Sequence, residues 1–252
     1  MIDGMFGFGA VAFLLFCRLG SCVMLLPGYG SARVPGQVRL MIALALSASL
    51  VPLLHGTISP ALRDLDDVQC LLIVVNEVLT GVTIGLMGRS FLLALQFSAT
   101  LMVNTIGLAG IPGQPMDDAE ALPALATLLS VAAVALLMAS GLHVEVLRAV
   151  VDSYAALPIG PDFDAGAIVD RLLATLRDTY LLALRLASPF AVYGVAVNVA
   201  LGLANRFAPQ ISIYFPLMGA VTIGGLLLLQ VLGADYLVVF LDAYRSWIVN
   251  GR

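Results

Sequence analysis

From Phe207 to Ala234 the chain carries no charged residue, and Leu122 to Leu142 is equally free of charge. A helix needs about 20 apolar residues to cross the hydrocarbon of a bilayer. Comparable runs occur at Phe6–Leu26, Val38–Leu54, Val68–Met87, Phe91–Ile111, Leu172–Ala204 and Ile211–Leu232. With Leu122–Leu142 they predict an all-α, polytopic membrane protein of seven segments, the sixth long and interrupted by Asp178, Arg185 and Pro189. Segments three and four lie so close that one re-entrant unit is an alternative. Transmembrane β-strands alternate apolar and polar residues over about ten positions, and these runs do not.

Composition agrees. Of 252 residues, 61% are hydrophobic and 11% charged, with mean hydropathy +1.03, against about 25% charged in soluble domains. That excludes a soluble enzyme, and a net charge of −4 without a basic run excludes nucleic acid as a partner. Cys17, Cys22 and Cys70 show no C-x-x-C spacing and are expected to be small buried apolar side chains. Asp3 in place of a basic start, and Arg18 within the first run, predict no cleaved leader.

The connections differ. Residues 28–39 hold Arg33 and Arg39 and no acid, which predicts a cytoplasmic first loop and an outside N-terminus. The acidic loops 55–67 and 107–121 then fall outside. Residues 143–171 are the one long polar stretch. Leu147, Val150, Val151 and Tyr154 recur there at helical spacing, predicting an amphipathic helix ended by Leu157-Pro158-Ile159-Gly160-Pro161.

Charges inside apolar segments are the first candidates for function. Each costs roughly 2.5–3.5 kcal/mol at a helix centre unless paired or facing a polar cavity. Arg18, Glu77, Arg185 and Asp235 qualify, and Arg18 with Glu77 is a plausible pair. The readings are an ion path, a structural ion pair or a contact with a partner subunit. Gly81, Gly85 and Gly88, and further on Gly194, Gly202, Gly219, Gly224 and Gly225, predict faces for close helix packing. In the loop 107–121, Pro112 and Pro115 prevent a continuous helix, and Gly107, Gly110 and Gly113 permit turns. It is either a pore-facing loop or a surface loop.

Enzyme signatures are missing. His143 stands in His143-Val144-Glu145 rather than H-E-x-x-H, and neither Ser140-Gly141 nor Gly233-Ala234-Asp235 completes an intramembrane protease motif. Nothing calls for a cofactor or metal. A secondary transporter with Arg18, Glu77 and Arg185 near a substrate site remains open; an intramembrane hydrolase is disfavoured.

Several short stretches, in order, resemble the FliR/SctT family of type III export-gate proteins. They are Arg18-Leu19-Gly20, Leu26-Pro27-Gly28-Tyr29-Gly30, Val34-Pro35-Gly36-Gln37-Val38-Arg39 and Glu77-Val78-Leu79-Thr80-Gly81 with Ile84-Gly85. Gly141-Leu142-His143, Ser153-Tyr154 and Leu157-Pro158-Ile159-Gly160 follow. The most specific piece runs from Ser188-Pro189-Phe190 through Asn198-Val199-Ala200-Leu201-Gly202-Leu203 to Asn205-Arg206-Phe207-Ala208-Pro209-Gln210. Ile211-Ser212-Ile213-Tyr214-Phe215-Pro216 departs from the family's usual Gly-Phe-Pro pattern, and Pro115-Met116-Asp117-Asp118-Ala119 from its Met-rich stretch.

The resemblance implies a flagellar export-gate subunit of the bacterial inner membrane, assembled in the basal body with FliP-like and FliQ-like chains. FlhB-like and FlhA-like components would work beside it, and unfolded substrates would pass through the shared channel. It implies a FliP-like part over 1–165, a FliQ-like helical hairpin over 166–252, and a plug at 107–121. Plug residues would be Gly107, Leu108, Gly110, Ile111, Pro112, Gly113, Pro115 and Met116; the hairpin turn would use Asn198, Arg206, Pro209 and Gln210.

Overall fold

A computed structural model describes residues 2–31, 34–62, 66–108, 123–160, 164–207 and 214–250. Among them there are seven α-helices and no strand: α1 (Ile2–Leu25), α2 (Gly36–Ile58), α3 (Asp67–Thr105), α4 (Ala124–Ala139), α5 (Leu142–Ala156), α6 (Ala165–Phe207) and α7 (Tyr214–Asn250). The all-α architecture expected from the apolar runs is present. Five helices, α1, α2, α3, α6 and α7, are long and apolar enough to cross a membrane. α4 and α5 pass that test only together, as one broken span.

The seven-segment expectation is thus corrected in three places. Segments three and four are one helix, the 39-residue α3. The gap in hydropathy at Gly88-Arg89-Ser90 is a charge and not a turn: no proline stands there, and Arg89 is exposed mid-helix. Segment five stops at Ala139, because Gly141 takes φ +75°, a left-handed conformation open to glycine. α6 and α7 extend well beyond segments six and seven, so Asp235 lies inside a helix and not at its end.

Helix ends follow local chemistry. Asp164 Oδ1 accepts from the Ala167 N–H at 3.0 Å and caps α6. The Gln69 side chain returns to the Asp66 N–H at 3.1 Å, half of a capping box at the start of α3. α3 ends in a Schellman motif: Leu108 N–H bonds Val103 O at 3.1 Å, Gly107 N–H bonds Asn104 O at 3.3 Å, and Gly107 has φ +78°. Gly107 and Leu108, expected as the start of a plug, therefore close a helix.

The chain divides into two compact units. Unit 1 comprises residues 1–90, 138–177 and 246–252; unit 2 comprises 91–137 and 178–245. In unit 1, Val11, Leu14, Leu15, Leu19, Cys22 and Val23 line the buried face of α1, which packs on α2. The amphipathic helix expected in 143–171 is α5. Its buried face is Leu142, Val146, Val150 and Tyr154, while Leu147 and Val151 are only half-buried. Cys17 and Cys22 are buried as expected, but Cys70 is exposed. In unit 2, Leu95 and Met102 of α3, Ala126 and Ala133 of α4, Leu186 and Phe190 of α6, and Phe240 and Tyr244 of α7 form the core. Ser98 and Tyr236 hydroxyls lie 2.6 Å apart and each within 3.0 Å of Leu95 O, so that one hydroxyl donates to the other and the second donates to the carbonyl.

Glycines set how closely helices approach, though not all those expected to. A Cβ on Gly81 would overlap the Arg18 carbonyl and the Ser21 hydroxyl; one on Gly85 would lie 2.9 Å from Cys22 O. In unit 2, Gly194 abuts Thr105 and Gly225 abuts Ile106, but Gly202 and Gly219 face open space. Gly81→Ala should cost about 1–3 kcal/mol because backbone blocks the added methyl. Gly9→Ala, in α1 with nothing nearby, should be neutral or stabilise by up to about 1 kcal/mol. Thermal melts of the detergent-purified protein by circular dichroism would show the contrast.

Candidate functional site

Arg18 is among the largest wholly buried side chains, 1% exposed, and Glu77 is 2% exposed. Arg18 Nε donates to Glu77 Oε2 at 2.8 Å and Nη2 donates to Oε1 at 2.7 Å, a bidentate fork between α1 and α3. The remaining groups are also engaged. Arg18 Nη1 donates to Ser153 Oγ at 3.1 Å and Nη2 to Leu157 O at 3.1 Å. The guanidinium carbon sits 3.9 Å from the centre of the Tyr154 ring, whose hydroxyl donates to Glu77 Oε2 at 3.3 Å. Asn76, one residue before Glu77, donates its amide to Gly160 O at 3.2 Å. The chain leaving α5 is thus tied to α1 by Arg18 and to α3 by Asn76. Burial of the charges is tolerable because every polar atom of the pair is met.

This geometry depends on the small residues beside it. Gly81 lies one turn beyond Glu77 and brings α3 against the α1 backbone at Arg18 itself. A larger residue would push the carboxylate away from the guanidinium.

Arg185 and Asp235 behave differently. Both are exposed, and among the described residues neither side chain has an ion pair. Together they line one cleft of unit 2, with Pro189, Phe190 and Tyr236. Pro189 has no N–H to offer the Arg185 carbonyl, and Ser188 Oγ donates to it instead at 2.9 Å. Asn198 and Arg206, expected in a hairpin turn, lie within α6, where Asn198 Nδ2 donates to Gly194 O at 2.9 Å. Tyr193 of α6 ties that helix to α7, its hydroxyl donating to Val221 O at 2.5 Å. Pro209 and Gln210 lie outside the described residues, as do Arg33, Pro161 and the remaining plug residues Gly110, Ile111, Pro112, Gly113, Pro115 and Met116.

The profile of bacterial export proteins, family 1, matches residues 10–246. The chain belongs to this family. It is similar to the flagellar biosynthetic protein FliR of Caulobacter vibrioides, at 32% identity over 94% of this chain and 93% of that one. The FliR of Escherichia coli K12 is 26% identical over 79% of this chain and 76% of its own length. That of Aquifex aeolicus is 25% identical over 80% and 76%. This family member is a multi-pass membrane protein of flagellar biosynthesis and protein export.

Three of the stretches through which the sequence resembles its export family, those around Arg18, Glu77 and Ser153–Gly160, converge in this node. Arg18, Glu77, Gly81, Gly85, Ser153, Tyr154 and Gly160 all belong to it or border it. Sequence reading missed Asn76, Ser153 and Tyr154 as polar partners. Tyr154 read as one more apolar position, and only Ser153-Tyr154 standing together hinted otherwise.

An arginine keeps its proton, whereas a carboxyl group can shed charge by taking one up. Glu77→Leu should therefore destabilise by about 3–5 kcal/mol, and Arg18→Leu by less. Arg18→Leu/Glu77→Leu should recover part of the loss. Thermal unfolding in detergent tests this; a double variant weaker than both singles would show that the two residues act independently.

Proposed function

We propose that this chain is a subunit of the type III flagellar export gate. With FliP-like and FliQ-like chains it builds the inner-membrane channel through which unfolded substrates pass, and FlhB-like and FlhA-like components act beside it. The observation that carries this reading is the extent of the family match: residues 10–246 take in both compact units and not a detachable module. Surface character supports it. Only 6% of the most apolar window of α7 is buried within the chain, leaving apolar area that lipid or neighbouring subunits must cover.

In this reading residues 1–165 form the FliP-like part and 166–252 the FliQ-like hairpin. The buried pair Arg18–Glu77 holds the first part together and transports nothing. Its polar atoms are all bound by the protein, so they are not available to a solute, and that argues against the secondary-transporter alternative.

The stretch 107–121 acts as the plug. It leaves α3 at the Gly107 cap, and Leu108, Ile111 and Met116 supply apolar groups able to keep a narrow pore dry. Asp117, Asp118 and Glu120 stay at a wetter edge, since burying three like charges is costly.

Affinity purification of the tagged chain should bring down FliP-like and FliQ-like chains in fixed ratio, and gene deletion should abolish motility. A chain stable alone that binds a small solute would favour the transporter. Deleting residues 110–115 should leave that complex assembled but raise its ion conductance in a planar bilayer. An assembled deletion complex conducting no more than the parent would reject the plug.

A further inference from the structure

α3 ends against α6 and α7, and three successive residues make the contact. Thr105 meets α6 at Gly194, Ile106 meets α7 at Gly225, and Gly107 faces Thr222 and Met218 of α7. All of them lie in unit 2. Glycine is a poor residue for a helix interior, yet Gly194 and Gly225 stand inside α6 and α7, and both are buried. A Cβ on Gly225 would overlap the Ile106 side chain and lie 3.3 Å from its Cα; one on Gly194 would overlap the Thr105 methyl. α6 and α7 are tied to each other beside this point by Tyr193 and Val221 O. Gly224 leaves room for that tie, since a Cβ there would lie 2.7 Å from the Tyr193 hydroxyl.

The seated turn cannot shift easily. Ile106 is wholly buried, so lifting it would empty a packed site. Thr105 is β-branched and its hydroxyl donates to Leu101 O at 2.6 Å, so its methyl cannot simply turn aside. A glycine at the root of a loop resembles a hinge. The positive φ of Gly107 is instead taken up by the Schellman bonds to Val103 O and Asn104 O.

We propose that the last turn of α3, Thr105 to Leu108, is a fixed seat for the plug, so that displacement of the plug takes place beyond Leu108. Gly194 and Gly225 are positioning residues. They act through Thr105 and Ile106 and set the direction in which the chain leaves α3. The inference rests on the plug reading of 107–121 and adds to it which end holds still and what holds it.

The test uses the full-length chain with the subunits that accompany it, carrying Cys70→Ser to remove the exposed thiol. A Cβ at 194 lies 3.6 Å from the Thr105 Cβ, within the disulfide range of about 3.5–4.5 Å. Thr105→Cys/Gly194→Cys should therefore close a disulfide in the assembled complex, counted by alkylation and mass spectrometry. Motility should be the same with the bond closed or reduced. Thiols that stay free in the oxidised complex, or motility lost on closure and restored by reductant, would overturn the seat. Conductance in a planar bilayer reads the positioning. Gly194→Ala should raise it towards that of the complex lacking residues 110–115, at unchanged subunit ratio. Adding Thr105→Ser removes the obstructing methyl, keeps the hydroxyl and should return conductance to the parent level. An assembled Gly194→Ala complex no leakier than the parent would show that this glycine positions nothing. A deletion complex no leakier than the parent would reject the plug reading, while the disulfide still decides whether the turn moves during export.

Discussion

An arginine carries its charge wherever the fold puts it, and this fold puts Arg18 where water does not reach. Much of unit 1 follows from that. The positive charge demands Glu77, the fork between them fixes how α1 meets α3, and the spare donors reach Ser153 and Leu157. Tyr154 closes the site from one face, its ring on the cation and its hydroxyl on the anion. Replacing such a cluster by packed apolar residues is often neutral or stabilising in other proteins. Its advantage here is specificity: apolar helices in a membrane slide and rotate at little cost, and only one register brings all these partners together.

That register was partly legible in the sequence. Arg18 and Glu77 stood out because charges interrupting apolar runs must be met, and Gly81 with Gly85 marked a close helix approach. The helical nature of the chain was plain from run length. What was hidden had physical causes. Arg89 resembled a loop because hydropathy drops at any charge, yet an exposed arginine is at home in a helix. Gly141 breaks a charge-free run that hydropathy joins. Asn198 resembled a turn residue within a motif, but its amide bonds back to its own helix. Gly107 looked like loop flexibility and proved to be a helix cap. The partners of Arg18 beyond Glu77 lie more than a hundred residues away, and no local pattern announces them.

Charges in this chain therefore play two parts. Those of the Arg18 node are buried and neutralised inside the protein, which makes them architectural. Arg185 and Asp235 are exposed and mark the end of the uncharged halves of α6 and α7. The first group gives a rigid scaffold; the second faces what surrounds it. A membrane subunit of an export family needs both, a fixed internal register and outward faces able to meet lipid and other chains.

The central claim is that Arg18 holds α1, α3 and the chain leaving α5 as one cooperative element. Hydrogen–deuterium exchange of the full-length protein and of Arg18→Met tests it most directly. The account predicts that amides of 153–160 lose protection in the variant, together with those of α1 and α3 near Gly81, while the α6–α7 region around Tyr193 keeps its protection. Unchanged protection of 153–160 would contradict the claim and leave the ion pair a local feature of α1 and α3.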